Sequence, residues 1–427
     1  MIILLFAAFF VLLFIGMPIA YAMAISSVAV LLADNVLPGL VIAQKLFTAM
    51  DSFSLMAIPF FMLAGSLMEQ SGITRRLVHF ANTLVGHFTG GLGHATIITG
   101  VLMAGVSGSA NADTSAIASI MVPALKEEGY DPGYSCAMIS GCGALGPVIP
   151  PSIMMVIYAG VTSISIAALF MAGFIPGLLI GLGYMVVNYF YAKKHGIPRT
   201  KFVGWKNIFT SFLHAIPALG MPFVIIGGIL SGVVTATEAG VLACLYSMVY
   251  GLLARSLNGK KLYECITNAV AATTNPMIII AFAALFGYLV TNYNFSKMIL
   301  AIMTSFTSSQ QIVLLLISVV LFVAGMFIDS NAAMLMLIPV FTPLIALYGF
   351  DKLHFAMVCI LTLVMGGMSP PVGLLMYIAA GCTNTPLNTV VKNIWWFIVV
   401  NYAIVILAIF IPQIIGALPA LAGLIVN

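Results

Sequence analysis

The scarcity of charge is the feature of this sequence that most limits how it can fold. Only 6% of the 427 residues are charged, 62% are hydrophobic, and the mean hydropathy is +1.18. A soluble globular protein carries about 25% charged residues, so this chain could not cover itself with a hydrated surface. The sequence therefore predicts an all-α polytopic membrane protein, because a helix satisfies its backbone groups within its own segment.

Several apolar runs are too short or too interrupted to be simple membrane spans. The run 94–106 halts at Ser107-Gly108-Ser109-Ala110-Asn111, and the run 311–328 halts at Asp329-Ser330-Asn331. Non-helical backbone at bilayer depth is tolerated only where it lines a cavity or is buried in protein. We therefore expect each halt to be the tip of a re-entrant helical hairpin.

The chain is similar to itself at a shift of 220 residues. Segment 105–160 then lies on 325–380 without a gap, and the identities fall mostly on helix-breaking residues. The pairs include Gly105 with Gly325, Asn111 with Asn331, Pro123 with Pro343, Gly146 with Gly366, and Pro150-Pro151 with Pro370-Pro371. This similarity predicts two structural repeats.

The first repeat is predicted at 1–192, with a hairpin at 93–128 and a broken helix at 134–160. The second is predicted at 212–427, with a hairpin at 311–348 and a broken helix at 353–380, after a cytoplasmic linker at 193–211. Polar segments at 34–51, 73–90, 258–274 and 293–310 occur at matching places, which favours interfacial arm helices over ordinary loops.

An odd number of crossings in each repeat would turn the second repeat upside down. A hairpin adds no net crossing, and we count five crossings by dividing 2–33 into two short helices at Gly16-Met17-Pro18. With the loop 193–206 in the cytoplasm, twelve of the fifteen Lys and Arg residues fall on that side, as the positive-inside rule expects. The pattern predicts an inverted repeat of the kind found in secondary transporters.

Each hairpin tip brings one helix C-terminus and one helix N-terminus to the same point. Carbonyl groups at the first attract a cation, and amide groups at the second attract an anion. The side chains of Ser107, Ser109, Asn111, Ser330 and Asn331 add neutral oxygens that suit a hard ion such as Na⁺. The alternative is that they only cap the second helix of each hairpin.

One carboxylate accompanies each tip. A charge at the bilayer centre is costly and normally has a partner, so Asp329 and Asp113 point to a bound Na⁺ or a coupling proton. Asp113 could instead only stabilise the first turn of its helix.

The proline-rich breaks at 143–151 and 366–371 should free carbonyls to complete both sites. The predicted cation ligands are Ser107, Ser109, Asn111, Gly146, Gly325, Asp329, Asn331, Gly366 and Met368. The predicted substrate contacts are Ser109, Asp113, Thr114, Pro150, Ser330 and Ser369.

Other chemistry finds no support in the sequence. It contains no Walker motif, zinc signature or nucleophile elbow, so we expect no enzyme activity, no organic cofactor and no nucleic-acid partner. The residues Thr235-Ala236-Thr237-Glu238 fit a capping box at the start of a helix, and a role in contacting a partner or substrate is the alternative.

The tip Gly105–Thr114 and the two breaks, Gly-Pro-Val-Ile-Pro-Pro and Gly-Met-Ser-Pro-Pro-Val-Gly, resemble the large membrane (M) subunit of tripartite ATP-independent periplasmic (TRAP) transporters. The resemblance covers essentially the whole chain, and the first tip is most similar to sialic acid transporters, with C4-dicarboxylate members next. It implies an Na⁺-driven elevator in the bacterial inner membrane. It also implies a small four-helix membrane (Q) subunit and a periplasmic (P) protein that captures the substrate. Asn111 and Asn331 match the family's tip positions, and Asp329 matches an acidic position there.

The resulting hypothesis is Na⁺-coupled uptake of an organic acid. A proton-coupled carrier is the nearest rival, with Asp329 and Asp113 as relays, and its uptake would follow pH. A channel would keep its flux when K⁺ replaces Na⁺. A membrane scaffold or sensor would have no reason to keep two matching polar tips.

Overall fold

The chain is built from α-helices throughout the part that the structure describes. This part of the computed structural model comprises residues 1–34, 38–199, 202–295, 298 and 309–424, and it contains no β-strand. The helices before the predicted linker are α1 (Ile2–Phe14), α2 (Ile19–Ala33), α3 (Leu40–Met50), α4 (Ala57–Gln70, after a 3₁₀ turn at Phe53–Met56), α5 (Ile73–Val85), α6 (Gly91–Ser107), α7 (Ala110–Glu127), α8 (Pro132–Ala144), α9 (Ile153–Thr162) and α10 (Ile166–His195). The later helices are α11 (Trp205–Leu230), α12 (Ala236–Leu253), α13 (Gly259–Asn292), α14 (Gln310–Phe327), α15 (Ser330–Tyr348), α16 (Lys352–Gly367), α17 (Leu374–Thr383), α18 (Leu387–Phe410) and α19 (Gln413–Leu421).

Eight helical segments in the described residues are long and apolar enough to cross a membrane. They are Phe53–Gln70, α10, α11, α12, α13, α14, α15 and α18. Such segments need roughly 20 apolar residues. The prediction of an all-α, multi-pass membrane protein is confirmed.

The order of elements in the first half recurs in the second. A helix pair with a two-residue interruption, α6 and α7, is followed by a helix broken at a Pro-Pro pair, α8 and α9. The same succession returns as α14 and α15, then α16 and α17, and both Pro-Pro bonds are cis. The two halves do not form separate globules, because α7 packs on α17 and α8 packs on α18.

The structure differs from the sequence expectation at several boundaries. The predicted arm at 258–274 is not a separate segment, since α13 continues through Pro276 to Asn292 as one helix of 34 residues. The start of α11 at Trp205 shortens the predicted linker, and the last apolar run divides into α18 and α19 at Ile411-Pro412.

The remaining predicted arms have different outcomes. Segment 34–51 contains the short helix α3, and segment 73–90 contains α5, which packs on α6 and α11. Most of the predicted arm at 293–310 lies outside the described residues. The division of 2–33 is confirmed, because α1 ends before Gly16 and α2 begins after Pro18.

Candidate functional site

The first tip is the interruption between α6 and α7. Gly108 ends α6 with φ +63°, a left-handed conformation that glycine adopts without strain. A Cβ atom on Gly108 would lie 2.5 Å from the Pro151 carbonyl oxygen, so only glycine lets the tip sit against the break between α8 and α9. The amide of Ile153 donates to the Gly108 carbonyl at 3.5 Å. Tip and break are therefore seated on each other.

Asp113 lies behind this tip and is fully buried. The Ser107 hydroxyl donates to its Oδ1 at 2.6 Å, while its Oδ2 has no hydrogen-bond partner among the described residues. A Cβ on Gly146 would lie 3.0 Å from that Oδ2 atom. The free carboxylate oxygen therefore faces the break at Gly146, where glycine leaves room beside it.

The second tip is the interruption between α14 and α15. Asp329 caps α15, and its Oδ1 accepts from the amides of Asn331 at 3.0 Å and Ala332 at 3.3 Å. The Ser330 hydroxyl donates to the Leu363 carbonyl at 3.2 Å. The Oδ1 atom of Asn331 is buried and has no donor within the described ranges. This tip thus carries one buried oxygen acceptor without a partner in the described residues, as the first tip does.

The break between α16 and α17 packs closely against the helix that leads into the second tip. A Cβ on Gly325 would lie 2.6 Å from the Leu363 carbonyl, and one on Gly366 would lie 2.6 Å from the Phe322 carbonyl. These two glycines permit α14 and α16 to approach backbone to backbone. Close helix contact therefore explains glycine at both positions without an ion.

Met368 and Ser369 are buried in the same break. The Met368 sulfur accepts from the Asn401 side chain at 3.1 Å, and Asn401 also donates to the Tyr184 hydroxyl at 2.6 Å. The Ser369 hydroxyl donates to the Met365 carbonyl. Both side chains are therefore engaged inside the protein.

The two tips meet in one narrow cleft of about 40 Å³. Polar residues of both interruptions share its lining with residues of both breaks. The lining residues are Met62, Gly108, Ser109, Ala110, Asn111, Pro147, Ile153, Asp329, Ser330, Asn331, Gly367, Leu374 and Leu375. The structure thus brings together residues that are more than 200 positions apart in the sequence.

Five of the residues singled out from the sequence line this cleft. They are Ser109, Asn111, Asp329, Ser330 and Asn331. Of the others, Ser107 and Gly146 contact Asp113 behind the first tip, while Gly325, Gly366, Met368, Pro150 and Ser369 are not part of the lining.

Two predicted substrate contacts, Asp113 and Thr114, are turned away from the cleft. The Thr114 hydroxyl donates to the Ala110 carbonyl at 2.7 Å on its own helix, and its side chain fills the space beside Gly143. A helix places successive residues about 100° apart, so the tip residues cannot all face the same side. The sequence motif did not reveal which of them turn inward.

Eight lining residues were not singled out as site residues from the sequence: Met62, Gly108, Ala110, Pro147, Ile153, Gly367, Leu374 and Leu375. Pro147 and Gly367 lie inside the breaks and could have been included on that ground. Met62 lies within an ordinary apolar span, α4, and carries no signal in the sequence. Met62 lines the cleft although it belongs to neither hairpin.

The two tips give the cleft different electrostatic features. Asp329 is the one charged residue in the lining that the structure describes, and it already accepts two amides of α15. Ser109 makes no side-chain cap on α7, so the first amides of α7 keep their capacity to bind an anion. Ala110 and Asn111, which open α7, line the cleft. The cleft therefore pairs an anion-attracting helix end with a carboxylate and a buried amide oxygen.

Known proteins of similar sequence indicate one family for this chain. Residues 6–414 match the family model described as tripartite ATP-independent periplasmic transporter, DctM component. The chain is 35% identical over 421 residues to the isethionate TRAP transporter permease protein DctMQ of Oleidesulfovibrio alaskensis, covering 96% of this chain and 65% of that longer protein. It is 33% identical over 411 residues to the sialic acid TRAP transporter large permease protein SiaM of Vibrio cholerae, covering 96% of each.

A solved structure shares the fold. The YdaH transporter of Alcanivorax borkumensis superposes with a TM-score of 0.61 at 15% sequence identity, covering 87% of each chain. At that identity the match concerns the arrangement of helices alone.

Proposed function

Because the chain belongs to the family of TRAP transporter DctM components, which are large permeases of the inner membrane, we propose that it couples entry of Na⁺ to uptake of an organic acid. The meeting of both hairpin tips in one cleft is the observation that carries this proposal. It supplies acceptors for a cation and amides for an anion within a single small volume.

Cation binding is supported by the unsatisfied acceptors. Buried polar atoms normally have a partner, and one left without costs about 1–3 kcal/mol. Asp113 Oδ2 and Asn331 Oδ1 are both buried and unpartnered in the described residues. Asp113 Oδ2 lies beside Gly146 in the first break, and Asn331 lines the cleft. A Na⁺ ion bound by oxygen ligands at each tip would remove this penalty. The resemblance to the TRAP family implies that Na⁺ drives transport, which is consistent with this proposal.

Anion binding is supported at the start of α7. The described residues that line the cleft include no Lys or Arg, so a substrate carboxylate would have to be held by backbone amides, hydroxyls and nearby Na⁺. The uncapped amides of Ala110 and Asn111 suit this role. Sialic acid is the favoured substrate and a C4-dicarboxylate the next, and both carry the required carboxylate.

A change of conformation is needed for the substrate to enter. Ligand pockets usually have volumes of about 300–1,000 Å³, whereas the cleft has about 40 Å³. We propose that α6–α10 and α14–α18, which contain both re-entrant hairpins and both broken helices, move together as an elevator past a scaffold formed by α1–α5 and α11–α13. A small four-helix Q subunit would brace that scaffold, and a periplasmic P protein would deliver the substrate.

The test is uptake into vesicles that contain the chain with its Q subunit, supplied with the P protein and radiolabelled substrate. We expect sialic acid to accumulate under an inward Na⁺ gradient and not when K⁺ replaces Na⁺. The same assay with radiolabelled succinate tests uptake of a C4-dicarboxylate.

Other results would identify the competing functions. Accumulation that follows an imposed pH gradient without Na⁺ would indicate proton coupling through Asp329 and Asp113. A channel would be indicated if flux persists in K⁺ and the substrate concentration inside the vesicles never rises above that outside. Either result would overturn the proposal of Na⁺ coupling.

A further inference from the structure

A second, larger groove of about 580 Å³ lies away from the cleft, between the end of α10, the start of α8 and helix α18. It is lined by Asp131, Tyr134, Val186, Val187, Phe190, Tyr191, Lys194, His195, Asn393 and Trp396. None of these residues lines the cleft between the tips. The groove therefore needs its own explanation.

One wall of the groove is apolar and open. Val186, Phe190 and Trp396 are 56%, 64% and 66% exposed. The first two lie on α10, a helix long and apolar enough to span the membrane. Side chains of this kind on such a helix face lipid, and Trp favours the boundary between acyl chains and headgroups. The wall thus offers a surface for a hydrocarbon chain.

The polar end of the groove carries two opposite charges that do not neutralise each other. Lys194, in the last turn of α10, is exposed and makes no ion pair or hydrogen bond within the described part of the chain. Asp131 Oδ2 accepts from the Tyr134 amide at 2.8 Å and from the Asn393 side chain at 3.2 Å. Its Oδ1 oxygen is left for another donor. A ligand for this end would carry both a negative and a positive group.

The floor of the groove is a rigid stack of rings. Tyr134 and Tyr191 lie face to face with centroids 3.4 Å apart and planes 7° apart, and His195 stacks on Tyr191 at 4.1 Å. Tyr134 is 1% exposed, and its hydroxyl has no hydrogen-bond partner in the described residues. The stacked rings therefore form a flat wall at the bottom of the groove.

We propose that this groove binds one molecule of phosphatidylethanolamine from the surrounding bilayer. Lys194 pairs with the lipid phosphate, and Asp131 Oδ1 accepts from the primary amine of the headgroup. One acyl chain lies along Val186, Phe190 and Trp396. A purely anionic lipid would place negative charge against Asp131, and a choline headgroup has no N–H to donate, so the charge pair selects the ethanolamine lipid.

Native mass spectrometry of the full chain in detergent tests the proposal. Phosphatidylethanolamine, phosphatidylglycerol and phosphatidylcholine are each added to delipidated protein, and the bound fraction is measured. We expect phosphatidylethanolamine to bind most tightly. Lys194→Glu and Trp396→Ala should each weaken it by roughly fivefold or more, the effect of losing about 1 kcal/mol. Lys193→Glu is the matched control, since Lys193 is exposed beside Lys194 but does not line the groove.

The variant Asp131→Asn tests headgroup choice separately from folding. Asn caps a helix as well as Asp does, so α8 should keep its start while the partner of the lipid amine is lost. We expect the preference to shift from phosphatidylethanolamine towards phosphatidylglycerol. Circular dichroism and size-exclusion chromatography check that each variant is folded.

Four outcomes would overturn the proposal. These are binding of phosphatidylglycerol at least as tightly as phosphatidylethanolamine in the wild-type chain, an equal loss in Lys193→Glu, no retained lipid at all, or cross-linking of a photoreactive residue at position 190 to a protein instead of to lipid. None of them bears on Na⁺ coupling, because the groove shares no residue with the cleft.

Discussion

Ser107 and Asp113 are joined by a hydrogen bond of 2.6 Å that closes the first hairpin tip on itself. The serine ends α6 and the aspartate lies in the first turn of α7, so the bond spans the interruption. It satisfies one carboxylate oxygen and leaves the other beside Gly146. The tip is thereby held in a shape that keeps one buried negative oxygen available.

Ser107→Ala should weaken Na⁺ binding at the first tip. The change removes the donor to Asp113 Oδ1, and a hydrogen bond to a charged group contributes about 1.5–3 kcal/mol. We expect the Na⁺ concentration for half-maximal uptake to rise roughly tenfold or more. Ser119→Ala is the control, since that exposed hydroxyl bonds only the Ala116 carbonyl of its own helix. Equal behaviour of the two variants would remove the tip from the ion-binding mechanism.

Asn331→Ala should impair the second tip without unfolding the protein. The variant deletes the buried Oδ1 acceptor that has no donor in the described ranges, so folding loses little hydrogen bonding, whereas a bound Na⁺ loses a ligand. Uptake driven by Na⁺ should fall about tenfold at limiting Na⁺. Asn207→Ala, which removes an exposed side chain bonded to the Val203 carbonyl, should leave it unchanged. Unaltered uptake in Asn331→Ala would contradict the assignment of this tip.

Joining the proposed moving block to its scaffold should stop transport. A Cβ on Gly160 would overlap the side chain of Leu55, so cysteines at these two positions, one in α9 and one in the turn before α4, should cross-link. We expect uptake to cease on oxidation and to return on reduction. The control pairs Ser115→Cys with the native Cys382, whose side chains are 3.5 Å apart inside the block. That bridge should leave uptake intact, and transport through an oxidised Leu55–Gly160 pair would refute the elevator.

The capping box at the start of α12 should affect stability and not coupling. Thr235 accepts from the Glu238 amide, and Glu238 accepts from the Thr235 amide at 2.7 Å. The sequence prediction of this motif is confirmed. Thr235→Ala should cost about 1 kcal/mol of stability, seen as a lower melting temperature, with the Na⁺ dependence of uptake unchanged. A shift in Na⁺ dependence would instead favour the partner or substrate role considered from the sequence.

The sequence predicted the helix interruptions well because they depend on local chemistry. Gly108 and the Pro-Pro pairs break helices wherever they occur, so both tips and both breaks could be located from the 220-residue similarity alone. Pro276 behaves differently, because it lies inside a continuous helix, as Pro123, Pro176 and Pro339 also do. There α13 packs on α2, α3, α4 and α15, and these tertiary contacts maintain a helix through a residue that would end an isolated one.

Side-chain direction could not be predicted in the same way. Asp113 and Thr114 lie in the most recognisable motif of the chain, yet they turn behind the tip because they follow Asn111 by two and three helical positions. Met62 reaches the cleft from α4 through tertiary contact alone. A sequence motif therefore locates a site along the chain. Which side chains of the motif face the cleft depends on how each helix is rotated against the helices packed on it.

Asp329 presents the sharpest test, because it has two separable roles. Its carboxylate caps α15 by accepting two amides, and it is the charged residue of the cleft lining that the structure describes. Asn is as good a helix cap as Asp, so Asp329→Asn should preserve the tip while removing the charge. If the charge serves Na⁺, the variant should need roughly tenfold more Na⁺ for half-maximal uptake at an unchanged melting temperature.

A matched control exists at the start of α16, the next helix after α15. Asp351 caps α16 by accepting the His354 amide, and it does not line the cleft. Asp351→Asn makes the same chemical change at a cap without an ion, so it should alter neither Na⁺ dependence nor stability appreciably. If Asp329→Asn behaves like Asp351→Asn, then Asp329 is a cap only, and Na⁺ at the second tip would have to be held by Asn331 and main-chain oxygens. If Asp329→Asn instead abolishes the pH dependence of uptake while Na⁺ has no effect, the carboxylate carries a proton and the transporter is proton-coupled.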